Sequence, residues 1–206
     1  MRTVVFLCLA LLLGLAGGAA LAAEAPMELA GIRLGGSVAA SGDKLRTVEP
    51  GQECRRSGLA MAPVAPVAGY RSGYVDYGQC ASPGRIVRIK MHYADDSLEF
   101  FNKVLAALKK RYGEPSQWRG NAFGTLRTWK WSITGADGTR VSLILMHYAG
   151  DDGTFTQGNS IRIAEPDFVR QEQRCQEAKD ATDKGTTSLE APQPPAPKDL
   201  NWFLPR

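Results

Sequence analysis

A chain of 206 residues is long enough for one modest domain with appendages. Its formal net charge of +4 is small and dispersed, so charge gives no reason to expect a nucleic-acid binder.

The opening MRTVVFLCLALLLGLAGGAALA carries one basic residue, Arg2, and no further charge precedes Glu24. Ala20-Leu21-Ala22 is a small-x-small cleavage signal, so residues 1–22 read as a signal peptide cut before Ala23. Cleavage lowers the net charge only to +3 and predicts a periplasmic or secreted protein with no stable membrane insertion. The alternative is an uncleaved inner-membrane anchor, because the apolar run is long enough to span a bilayer. Cys8 lies inside that run and is no lipid-attachment cysteine.

Residues 23–180 read as one α+β domain, loop-rich from 23 to 69. Met27–Leu34 is a short strand ended by Gly35-Gly36, and AMAPVAPVAG, with Pro63 and Pro66, is extended loop or sheet edge. Of the three cysteines in the mature chain, Cys54 and Cys80 are the expected disulfide, closing a Gly/Pro/Ala-rich loop. Cys175 is then free, or joins two chains as a dimer. Tyr70–Tyr77 is strand-like, and Ala81-Ser82-Pro83-Gly84 a turn. Arg85–Tyr93 alternates, with Val87, Ile89, Met91 and Tyr93 on one face and Ile86, Arg88, Lys90 and His92 on the other.

The clearest element follows. Leu98, Phe101, Leu105, Leu108 and Tyr112 recur every three or four residues, predicting an amphipathic helix over 97–112. Asp96 is its expected cap, with Glu99 in capping-box position, and Gly113 and Pro115 end it. EPSQWRGNAFG reads as a loop exposing Trp118 and Phe123. Leu126–Ile133 and Arg140–Tyr148 form a hairpin around Gly135–Gly138, with Trp129 and Trp131 facing the helix, and Ser160–Ala164 is a last short strand. A second, polar helix starts at Glu165-Pro166 and runs to about Lys179. Residues 181–206 are a Pro-rich, flexible tail ending in Trp202-Phe203, which either dock back or serve as a peptide ligand.

The only two histidines sit in identical tetrapeptides, Met91-His92-Tyr93-Ala94 and Met146-His147-Tyr148-Ala149, each followed by an aspartate pair. Two imidazoles with nearby carboxylates are the donor set of a metal site, and a small metal-dependent or hydrolytic enzyme is the rival functional reading. Geometry argues against it. If the helix is a crossover, Leu126–Ile133 runs parallel to Arg85–Tyr93, and the histidines fall at opposite ends of the sheet. Asp96 is then a helix cap and Asp151-Asp152-Gly153 a turn. No nucleophile elbow, phosphate loop or dinucleotide fingerprint occurs. No cofactor is expected.

The helix stop Arg111-Tyr112-Gly113-Glu114-Pro115, followed by Trp129-Lys130-Trp131 and Val141–Leu145, resembles small exported bacterial domains of the SmpA/OmlA and β-lactamase-inhibitor-like types over residues 85–164. The chain departs from them in lacking a lipobox cysteine and in placing strands before the helix. The resemblance implies a binding or assembly role and no catalytic residues.

The expected fold is therefore a four- or five-stranded, mainly antiparallel sheet with one helix on one face. The expected function is a non-enzymatic binding or envelope-accessory protein whose partner is an envelope protein or peptide. Its candidate contacts are Arg88, Lys90, Thr128 and Lys130 on the open sheet face, Trp118 and Phe123 in the loop, and Trp202 and Phe203 in the tail.

Overall fold

The computed structural model describes residues 24–46, 54–56 and 58–186. The proposed signal peptide and the tail aromatics Trp202 and Phe203 lie outside the described residues. The fold is α+β, as expected, but its sheet is larger. Eight antiparallel strands run in the order β3-β4-β5-β6-β10-β9-β8-β7. They are β3 (Cys54–Arg56), β4 (Leu59–Pro63), β5 (Tyr70–Gly78), β6 (Ile86–Tyr93), β7 (Gln117–Gly120), β8 (Leu126–Thr134), β9 (Arg140–Tyr148) and β10 (Gly158–Ala164). A separate hairpin pairs β1 (Glu28–Leu29) with β2 (Ile32–Arg33).

The chain builds this sheet as two meanders, β3 to β6 and β7 to β10, which meet where β6 pairs with β10. A helix follows each: α1 (Leu98–Tyr112) and α2 (Pro166–Thr186). The last short strand expected from the sequence is thus the middle of the sheet.

Two segments expected to be loop or edge joined it. Proline is excluded from central strands because it cannot donate, but Pro63 is the last residue of β4, so the ladder on both sides of Leu59–Ala62 is unaffected. The Gln117–Gly120 stretch pairs with β8 as an edge strand. That short strand reverses everything after it. It, and not β8, runs parallel to β6 after the helix. Hence β8 is antiparallel to β6, and β9 runs in the same direction as β6.

The first face of the sheet is the core. Val75, Ile86, Ile89, Met91, Trp131, Leu143, Leu145, Ile161 and Ile163 form one cluster with Phe101 of α1 and with Ile32 and Leu34 of the N-terminal segment. Val104, Leu105, Leu108 and Tyr112 pack on it as the stripe predicts, while Leu98 remains 37% exposed at the first turn. The helix cap is Ser97, not Asp96: its Oγ accepts from Phe100 N at 3.2 Å, and Asp95 accepts from Ser97 N at 2.9 Å. Gly113, at φ 77°, ends the helix in the region glycine tolerates, and its carbonyl accepts from Trp131 Nε1 at 2.9 Å.

Helix α2 packs at the opposite face, over the end where β4, β6 and β9 begin. The disulfide joins Cys80 to Cys175, not Cys54 to Cys80. Cys175 is therefore neither free nor available to link two chains. It sits in α2 one turn after the buried Glu172, whose carboxylate accepts from the backbone N–H groups of Gln79, Cys80, Ala81 and Ser82 at 2.5–3.2 Å. Glycine lets the helix come this close: a Cβ at Gly78 would lie 2.5 Å from Glu172 Oε1. Among the described residues no helix is long and apolar enough to cross a membrane.

Candidate functional site

Among the described residues, α2 covers only part of the second face of the sheet. Where α2 does not reach, cross-strand register lays out a polar surface. One row reads Gln117 (β7), Lys130 (β8), Ile144 (β9), Arg162 (β10), Lys90 (β6) and Tyr74 (β5). The next reads Arg119, Thr128, Met146, Ser160 and His92. Side chains directly opposite on one face sit about 5 Å apart at Cβ, so each row is a chain of contacts. Gln117, Arg119, Thr128, Lys130, Ile144 and Arg162 line a cavity of about 270 Å³.

This surface concentrates cations. Arg88 pairs with the buried Asp76 at 2.5 Å, and its Nε is buried with no hydrogen-bond partner. Among the described residues no carboxylate is recorded in an ion pair with Arg162, which is drawn electrostatically to Tyr74 and Asp76. Burial, with Arg88 nearby, pushes its guanidinium below the usual arginine range. A half-buried guanidinium beside a second one is costly unless an anion completes the set.

Arg88 and Lys90 thus lie where sequence alternation placed them, and Thr128 and Lys130 share their face. The aromatics do not join them. Trp118 is 58% exposed but belongs to the first face, where its ring packs 6.1 Å from Trp129. It sits on β7, four strand spacings or about 19 Å from β6. Phe123, 89% exposed, is in the β7–β8 turn. Neither Arg119 nor Arg162 is among the contacts expected from the sequence. Arg119 fell in a presumed loop. Arg162 was in a correctly read strand, SIRIA, where a lone arginine between isoleucines is the one signal that a polar face was being supplied.

The two histidines require a correction. Because β9 runs with β6, both lie at the same end of the sheet, not at opposite ends. They are still separated: His92 pairs with Ser160 on the second face, and His147 pairs with Asn159 on the first. Two strand spacings, about 10 Å, and the thickness of the sheet lie between them. His147 Nδ1–H donates to Asn159 Oδ1 at 2.8 Å and its ring packs 5.6 Å from Phe101. Asn159 Nδ2 in turn donates to the carbonyls of Asp95 and Ser97, at 3.0 and 2.8 Å, fastening the start of α1. His92 is buried with an unpartnered Nδ1; burial, then Lys90 and Arg71, push it down to about 4, so it is neutral at pH 7. The aspartate pairs serve turns: Asp152 accepts from Tyr148 Oη and from Thr154 N. Among the described residues no group of three or more His, Cys, Asp or Glu side chains is placed to hold a metal.

No protein-family model, no characterised protein and no solved structure matches this chain.

Proposed function

We propose that this is an exported, non-enzymatic binding or envelope-accessory protein that engages an envelope partner through the open half of its second sheet face. The observation that carries the reading is the row Lys130–Ile144–Arg162–Lys90, three cations in one register row of a face that helix α2, among the described residues, leaves open. Like charges directly opposed across strands, as Arg162 and Lys90 are, destabilise a sheet. Export is supported by the leader-like opening and by the Cys80–Cys175 disulfide, which suits an oxidising compartment. The resemblance of residues 85–164 to exported assembly domains supports an accessory role, since the chain after α1 forms an antiparallel meander.

The test is retention of envelope components on the immobilised protein. Wild type retains a partner that Lys90→Glu/Lys130→Glu releases, and retention weakens with salt. Equal retention by the charge-reversed variant refutes the assignment of this face. N-terminal sequencing of the exported protein checks the leader: a start at Ala23 is expected, and a start at Met1 identifies an anchored protein instead.

A further inference from the structure

The cavity on the second face supports a more specific reading, which rests on that face being the binding surface. We propose that Arg119, Lys130 and Arg162 form a site for a soluble phosphate monoester, with its phosphoryl group between the three cations and its organic part against Gln117, Thr128 and Ile144.

The argument begins with who lines the cavity. Among the described residues, three cations, one amide, one hydroxyl and one aliphatic side chain do so, and no carboxylate. The ligand must therefore be an anion, and the local charge of three positive groups favours a dianion over a monoanion. The cations approach from three strands, β7, β8 and β10, and from two rows of the register. A planar carboxylate is satisfied by one guanidinium fork in one plane. A tetrahedral phosphoryl group presents three oxygens in three directions, as this arrangement requires, and carries −1.5 to −2 charges at pH 7. Two guanidinium groups are the donors best matched to that geometry, and an ammonium adds a point charge.

The site is also held in place. Arg162 is in the central strand of the sheet, paired on both sides. The Arg88–Asp76 ion pair engages a carboxylate of the neighbouring strands. A volume of about 270 Å³ exceeds what a phosphate alone fills and leaves room for a small polyol or sugar. Gln117 and Thr128 are suited to its hydroxyls and Ile144 to its carbon skeleton.

The experiment is calorimetric titration of the full exported chain with glycerol 3-phosphate. Glycerol, sodium sulfate and vesicles containing phosphatidate are the comparison arms. Saturable one-to-one binding of glycerol 3-phosphate is expected, weakening as salt rises, with no response to glycerol. Lys130→Gln and Arg162→Met should each weaken it tenfold or more. Thermal unfolding of both variants is measured alongside; Lys130, on the cavity rim, keeps the test decisive if Arg162→Met does not fold. The site is overturned by an absence of saturable binding, by binding that Lys130→Gln leaves unchanged, by equal binding of sulfate, or by binding to the vesicles alone. If glycerol 3-phosphate fails while charge reversal still releases an envelope partner, the phosphate site falls and the binding face stands. If both fail, neither reading survives.

Discussion

Helices α1 and α2 each follow a four-stranded meander, yet opposite kinds of interaction hold them. Helix α1 lies on the first face through Phe101, Val104, Leu105, Leu108 and Tyr112. Among the described residues, helix α2 contributes nothing to that cluster. It is tied to the loop after β5 by Glu172 and the Cys80–Cys175 disulfide, and at its start by ion pairs from Arg85 to Glu165 and from Arg140 to Asp167. Apolar packing is non-directional and insensitive to pH or redox state. The ties of α2 depend on specific atoms, a particular charge state and an oxidised sulfur pair. The first face thus carries the apolar core, and the second is held at one end by directional ties.

The comparison can be broken most strongly at the cross-link. A disulfide spanning 95 residues removes about 4–5 kcal/mol of unfolded-state entropy in the chain-entropy model. Cys80→Ser/Cys175→Ser should lose that amount in denaturant unfolding, and amide exchange should rise in α2 before α1. If α1 opens first, the two helices are not held independently. Phe101→Ala should cost about 4 kcal/mol, because it empties a fully buried site beneath α1. Its effect should be the same with the disulfide oxidised or reduced.

Glu172→Gln keeps the shape but removes the charge that four backbone N–H groups share. A loss of about 3 kcal/mol by urea titration is expected, since hydrogen bonds to charged groups are the strong ones and unmet buried donors are penalised.

A smaller effect separates the faces by pH. His92, on the second face, is held near 4 by burial and by Lys90 and Arg71, against about 6.5 in an unfolded chain. With the folded value lowered, the unfolded chain binds the extra proton between the two values, so stability rises with pH. The contribution is complete above about pH 6.5 and lost progressively as pH falls towards 4. His92→Gln should flatten this part of the stability profile. The smallest change is at the cap of α1: Ser97→Ala should cost about 1 kcal/mol by thermal unfolding.

Much of the local structure was legible. Periodicity in Leu98–Tyr112 located α1, and alternation located β6, β8 and β9 with the correct face for Trp131, while the core-facing side of β9 was left open between Val141 with Leu143 and Ile144 with Met146. The cap was read one residue early because Asp95, Asp96 and Ser97 all carry capping oxygens, and only backbone geometry chooses among them. The candidate site was half legible. Arg88 and Lys90 came from alternation within one strand, whereas Arg162 and Arg119 needed to be placed next to Lys130 by pairing between strands.

Sequence by itself determined where the chain alternates, where it turns helical and which residues are apolar, because these follow from periods of 2 and 3.6 within a few residues. Tertiary structure alone decided the order of the strands, the partner of Cys80 and the company of the two histidines. One four-residue strand, β7, reversed the direction of all that follows, so a local misreading became a global one. Cysteine pairing and the gathering of cations depend on residues 95 and 32 positions apart, Cys80 with Cys175 and Lys130 with Arg162. No local period records such distances; only the insertion of β10 between β6 and β9 brings them together.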